Sequence, residues 1–170
     1  IYGTDDETLA SYLGKELLRT ESTIAFAESC TGGLASSLVT DVPGSSEYLL
    51  GSAVTYSNMA KHKLINVSEE SLEAYGAVSW QVACEMAQGV RELFGTTYGV
   101  GITGIAGPGG ATENKPVGLV YMAVADADGV KWAKHIFGGT RTDNKMRSAL
   151  TAISMVIDRI KEKETENKDK

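Results

Sequence analysis

A serine can cleave an amide without histidine if a neutral lysine removes its proton. Burial or neighbouring positive charge brings a lysine below its ordinary pKa of about 10.4 and makes it such a base. The parts stand close together in this chain: Ser45 and Ser46, then Tyr56, then Lys61 and Lys63. In this reading one of the two serines attacks and one of the two lysines is the base. Cys30 is a rival nucleophile, because a thiol near a helix N-terminus can have a lowered pKa. Metal chemistry is disfavoured, since His62 and His135 are the only histidines and neither has an acid or cysteine at a recognised ligand spacing. Both read as surface residues, with no metal and no cofactor expected.

Two glycine turns accompany these groups. Ser29-Cys30-Thr31-Gly32-Gly33 follows a short apolar run, and Thr103-Gly104 opens the glycine-rich stretch that ends at Gly110. Turns at strand ends are where α/β folds bind ligands, and helix N-termini offer N–H groups to anions. Hydroxyls beside glycines suit a phosphate or a carboxamide, so Ser29, Thr31, Gly32, Gly33, Thr103 and Gly104 are candidate substrate-binding residues. Two nucleotide signatures fail. Gly99 to Gly104 matches G-x-G-x-x-G but lies inside an apparent strand, and Gly110-Ala111 stand where a P-loop needs lysine and a hydroxyl.

The elements that must position these residues follow from periodicity. Thr4-Asp5-Asp6-Glu7 has capping-box spacing, and Leu9, Leu13 and Leu17 recur at helical intervals to a helix end near Arg19. Thr23 to Ala27 reads as a strand and Leu34 to Val39 as a helix. Pro43 and Gly44 break that helix, and Ser52 to Ser57 reads as the next strand. Short helices are predicted from Met59 and Ser68, and an amphipathic one from Ser79 to Phe94. Tyr98 to Thr103, Val117 to Ala125 and Val130 to Phe137 are further strands, the last two joined by the Asp128-Gly129 hairpin signal. Thr140 to Asp143 has capping-box spacing ahead of a long final helix. The tail from Lys161 to Lys170 has no apolar residue and is expected to fray. Helices interleaved with strands predict a three-layer α/β/α sandwich with a mixed sheet including one antiparallel hairpin.

Composition narrows the function. The chain has 170 residues, 42% of them hydrophobic, which suits one domain over residues 1–160. A net charge of -6 offers no attraction for phosphate backbones, so nucleic acid is not an expected partner. No leader and no apolar run of the roughly 18 residues a bilayer demands is visible, so no membrane is expected. Cys30 and Cys84 form no Cys-x-x-Cys pair. Free thiols suit a reducing compartment, and the expected location is cytoplasmic.

Several runs together go further: Ala27 to Gly33, Val42-Pro43-Gly44-Ser45-Ser46, Val54 to Asn58, Lys61, Gly76-Ala77-Val78-Ser79, Thr103 to Pro108 and Lys115 to Gly118. In this order, over nearly the whole chain, they closely resemble the CinA C-terminal domain family, which includes nicotinamide-nucleotide amidohydrolases. The resemblance implies hydrolysis of nicotinamide mononucleotide to nicotinic acid mononucleotide and ammonia, with no metal. It implies Ser46 in the Pro-Gly-Ser-Ser motif as the serine, with Tyr56 and Lys61 as its partners. Ser29 and Thr103 match polar positions of the family's substrate pocket, and Arg141 and Arg147 are candidates for binding phosphate. Residues 1–18 resemble the connector that follows an N-terminal domain in longer CinA proteins, in keeping with a start at Ile1 instead of Met. The family resemblance and the apolar faces of the long helices also make a homo-oligomer the expected assembly.

Overall fold

The computed structural model describes residues 7–169. Strands β1 (Ile24–Glu28), β2 (Leu49–Val54), β3 (Tyr98–Gly104), β4 (Leu119–Asp126) and β5 (Gly129–Ile136) form one sheet in the order β2-β1-β3-β4-β5. The first three are parallel, while β4 and β5 run antiparallel and make the expected hairpin. Among the described residues six helices flank the sheet: α1 (Leu9–Arg19), α2 (Leu34–Thr40), α3 (Asn58–Ile65), α4 (Glu69–Tyr75), α5 (Trp80–Phe94) and α6 (Arg141–Lys168).

Side chains alternate across a strand, so β1 feeds two cores at once. Ile24 and Phe26 join Leu13 and Leu17 of α1 and Ile153 and Ile157 of α6 on one face. Ala25 and Ala27 join Val82, Met86 and Val90 of α5 on the other. The architecture is therefore the predicted three-layer α/β/α sandwich with a mixed sheet. Small residues bring α5 close. A Cβ on Gly101 would stand 2.4 Å from the Ala83 carbonyl oxygen, and one on Gly99 would stand 2.2 Å from that of Ala87. The G-x-G pattern in β3 thus serves helix-on-strand packing.

Three expectations shift. Thr4, Asp5 and Asp6 lie outside the described residues, and α1 is capped by Thr8, whose hydroxyl accepts the Ser11 N–H. The second strand covers Leu49–Val54 instead of Ser52 to Ser57, because the chain pairs with β1 as soon as it leaves the turn at Ser45–Glu47. The tail does not fray after Lys161, since α6 continues to Lys168. Its charges find partners: Arg159 bonds Glu162 and Glu166, Lys163 reaches Asp126 and Asp128, and Arg19 of α1 holds Glu164. Among the described residues no helix is long and apolar enough to cross a membrane.

The topology creates a crevice. β1 leads through α2 to β2 on one side, whereas β2 leads through α3, α4 and α5 to β3 on the other. The strand order therefore reverses at β1, and at such a point the carboxyl ends of neighbouring parallel strands part to leave room for a ligand.

Candidate active site

The residues that leave β1, β2 and β3 at their carboxyl ends meet in this crevice. Ser29 directly follows β1, and its N–H donates to the Ile102 carbonyl of β3 at 3.0 Å. The turn after it is tight, with Gly32 and Gly33 at φ 62° and 102°, a region that favours glycine. Glu28, fully buried, locks that turn: its carboxylate accepts from the Thr31 hydroxyl at 2.7 Å and from the Ala35 and Ser36 N–H groups at 2.8 and 2.9 Å. The Glu28 carbonyl accepts the Thr55 N–H at 2.9 Å, so the exit of β2 is tied to the exit of β1.

Lys61 arrives from α3. Ser57 caps this helix by accepting the Ala60 N–H at 3.0 Å, and one turn in, the Lys61 side chain runs back toward the strand ends. Its Nζ donates to the Thr55 carbonyl at 2.8 Å, the Tyr56 carbonyl at 3.2 Å and the Ser29 hydroxyl at 3.0 Å. The residue is 1% exposed. None of these three acceptors is charged, and burial brings the ammonium down to about 8. An amine so placed is a base at mildly alkaline pH, aimed at a serine hydroxyl.

A cavity of about 370 Å³ opens over this pair. Ser29, Cys30 and Lys61 form its floor, Ala77 and Val78 one wall, and residues 103–107 with Gly109 and Gly110 another. The Thr103 hydroxyl donates to the Ala77 carbonyl at 2.8 Å and so joins the two walls. At the rim stand Tyr56, 61% exposed, and Arg141, the first residue of α6. Arg141 Nη1 donates to the Gly107 carbonyl at 2.8 Å and Nη2 to the Tyr56 hydroxyl at 3.1 Å.

Of the residues singled out in the sequence, the structure brings Ser29, Tyr56, Lys61, Thr103, Gly104 and Arg141 to one cavity and leaves the others out. Ser46 is the main correction. It lies exposed in the turn that precedes β2, whereas Lys61 follows the opposite end of that strand. Six strand residues advance about 20 Å, so β2 separates the two instead of joining them. The serine in contact with Lys61 is Ser29. Ser45 is buried beside Ser46 and, like it, does not line the cavity. Lys63 is exposed. Thr31, Gly32 and Gly33 shape the turn and do not line the cavity. Arg147 is exposed and outside the cavity, because six helical residues turn it about 240° away from Arg141.

Cys30 lines the floor, but burial pushes its thiol up to about 12, which removes the thiolate a cysteine nucleophile needs. Sequence reasoning missed Glu28, whose signal was an acid placed at the end of an otherwise apolar strand. It also missed the pocket-lining role of Ala77 and Val78, although the Gly76 to Ser79 motif marked the segment. Among the described residues no group of three or more His, Cys, Asp or Glu could hold a metal ion.

Comparison with known proteins agrees with this architecture. A relative from Moorella thermoacetica, named as a competence-damage inducible protein, is 51% identical over 92% of this chain and 38% of its own length. A CinA-like protein of Endomicrobium trichonymphae is 49% identical over 92% of this chain and 36% of its own. The chain thus spans well under half the length of these relatives. The crystal structure of the competence/damage inducible protein CihA from Agrobacterium tumefaciens superposes with a TM-score of 0.87 at 37% identity, covering 93% of this chain and 97% of that one. The family model of the CinA C-terminal domain matches residues 6–160, from before the first helix to the last core residue of α6, so the chain belongs to the CinA C-terminal domain family.

Proposed function

We propose that this domain is an amidohydrolase in which Ser29, activated by Lys61, deamidates nicotinamide mononucleotide to nicotinic acid mononucleotide and ammonia. The observation that carries this reading is the 3.0 Å contact between a buried Lys61 Nζ and the Ser29 hydroxyl on the floor of a cavity. With a pKa of about 8, roughly one Lys61 in ten is uncharged at pH 7. The cationic pyridinium of the substrate disfavours the ammonium further.

Neutral Lys61 takes the Ser29 proton as Oγ attacks the carboxamide carbon. The developing oxyanion is met by backbone N–H groups of the turns that border the cavity, where one such donor is typically worth about 3 kcal/mol. The lysine then returns its proton to the amide nitrogen, the C–N bond breaks, and ammonia leaves an ester on Ser29. Water attacks this ester while Lys61 accepts its proton. The C–O bond to Ser29 breaks, the serine regains a proton from Lys61, and the free acid departs. Arg141 at the rim receives the phosphate, with Tyr56 beside it. In a longer CinA protein the same cavity would work alongside an N-terminal domain.

Ammonia release from nicotinamide mononucleotide, its riboside and NAD tests this directly. Steady release from the mononucleotide, exceeding that from the riboside, is the expected result. A folded domain that releases no ammonia from any of the three would refute the proposal.

A further inference from the structure

The Tyr56 side chain and main chain serve different ends of the cavity. Its hydroxyl accepts from Arg141 Nη2 at 3.1 Å on the rim, and its carbonyl accepts from Lys61 Nζ at 3.2 Å on the floor. Lys61 in turn meets Ser29 at 3.0 Å. A line of contacts therefore runs from the exposed guanidinium to the buried nucleophile, by hydrogen bonds at either end and through the covalent frame of Tyr56 in its middle. The same guanidinium also donates to Gly107, in the loop that walls the cavity. Arg141 thus spans three elements: the start of α6, the loop after β3, and the segment between β2 and α3.

The two halves differ in rigidity. Thr55 is buried and its N–H is fixed on Glu28, whereas Tyr56 and Arg141 stand in solvent. Hydrogen bonds at an exposed rim are worth little while water competes for the same groups. A phosphate dianion changes this, because charge-assisted bonds to a guanidinium are stronger and fix its plane. Once Arg141 is fixed, its bond to the Tyr56 hydroxyl restrains that residue, and through its carbonyl the amine below. Binding energy gained at a remote, unreacting group is then used at the reacting centre.

Resting on the deamidase reading above, we infer that an anion at the rim activates the chemistry at the floor. In this arrangement Arg141, acting through Tyr56, is a positioning residue for Lys61. The phosphate of the substrate accordingly raises kcat and does not merely tighten binding. A free dianion should replace it in part when the substrate carries none.

The experiment uses nicotinamide riboside as substrate, in phosphate-free buffer, with added inorganic phosphite. Phosphite is expected to speed riboside deamidation saturably, by about tenfold or more, as remote binding energy is recovered from an unattached group. The ratio of rates with and without phosphite should fall to about one in Arg141→Ala and in Tyr56→Phe. That ratio compares each folded variant with itself, so a loss of fold or of general activity does not mimic the effect. Turnover of the mononucleotide without any phosphite stimulation of the riboside would overturn the coupling and leave the deamidase reading intact. Full stimulation in Tyr56→Phe would also overturn it, because the path would not run through that residue. Failure of the mononucleotide itself to react would bring down both.

Discussion

Lys61 and Arg159 are both buried cations, one beneath the cavity and the other where α6 crosses the hairpin of β4 and β5. Their surroundings are opposite. Arg159 bonds the buried Asp126 at 2.8 Å and reaches Glu162 and Glu166 at 3.2 and 3.3 Å. Burial alone would lower its pKa, but Asp126, Glu166 and Glu162 together outweigh that and hold it above its ordinary value. Among the described residues Lys61 bonds a hydroxyl and two carbonyls, and burial prevails. A cation kept for stability is given counter-charges. One left without them is inclined to lose its proton, as a base must.

The comparison is broken most severely at Lys61. Lys61→Met, which keeps the chain's length and removes its charge, should cut ammonia release by on the order of 10⁴ while the protein stays folded. Retention of the activity would show that the uncompensated amine has no chemical role. Arg159→Met should do the reverse. It strands Asp126, with Lys163 at 3.5 Å as remaining compensation, and costs about 3 kcal/mol in denaturant unfolding with activity per folded molecule unchanged.

A pH series sharpens the contrast. The folded pKa of Lys61 is about 8 against 10.5 for the ordinary side chain, so between these values the unfolded chain holds a proton that the folded chain has released. Stability contributed by this group therefore rises with pH across that window, by at most about 3 kcal/mol, and is lost again as pH falls through 8. The difference between wild type and Lys61→Met, followed by urea unfolding from pH 7 to 10.5, should display this rise. A flat difference would mean that Lys61 keeps its ordinary pKa.

Much of this is legible in the sequence. Local chemistry announces the elements: Ser68 and Ser79 cap α4 and α5, and the Asp128-Gly129 signal marks the hairpin, whose two turn residues are Ala127 and Asp128, with Gly129 already paired to Asp126 in β5. The sequence singles out Tyr56, Lys61, Thr103 and Arg141, and marks Ser29 as a binding residue. Its partnership with Lys61 was not legible. Ser46 stands nearer to Lys61 along the chain, whereas Ser29 reaches it only because β1 and β2 are parallel neighbours that end on the same side. A strand carries its two ends apart, and which ends coincide is a property of the sheet. The same reason hid the continuation of α6, whose final turns are held by Arg19 from α1 and by residues of the hairpin.

The central claim is that the hydroxyl beside Lys61 does the attacking. Its most direct test is the rate of ammonia release from nicotinamide mononucleotide by two folded variants measured side by side. Ser29→Ala should lose activity by on the order of 10⁴ and Ser46→Ala should stay within about twofold of wild type. Persisting turnover in Ser29→Ala, with loss in Ser46→Ala, would contradict it.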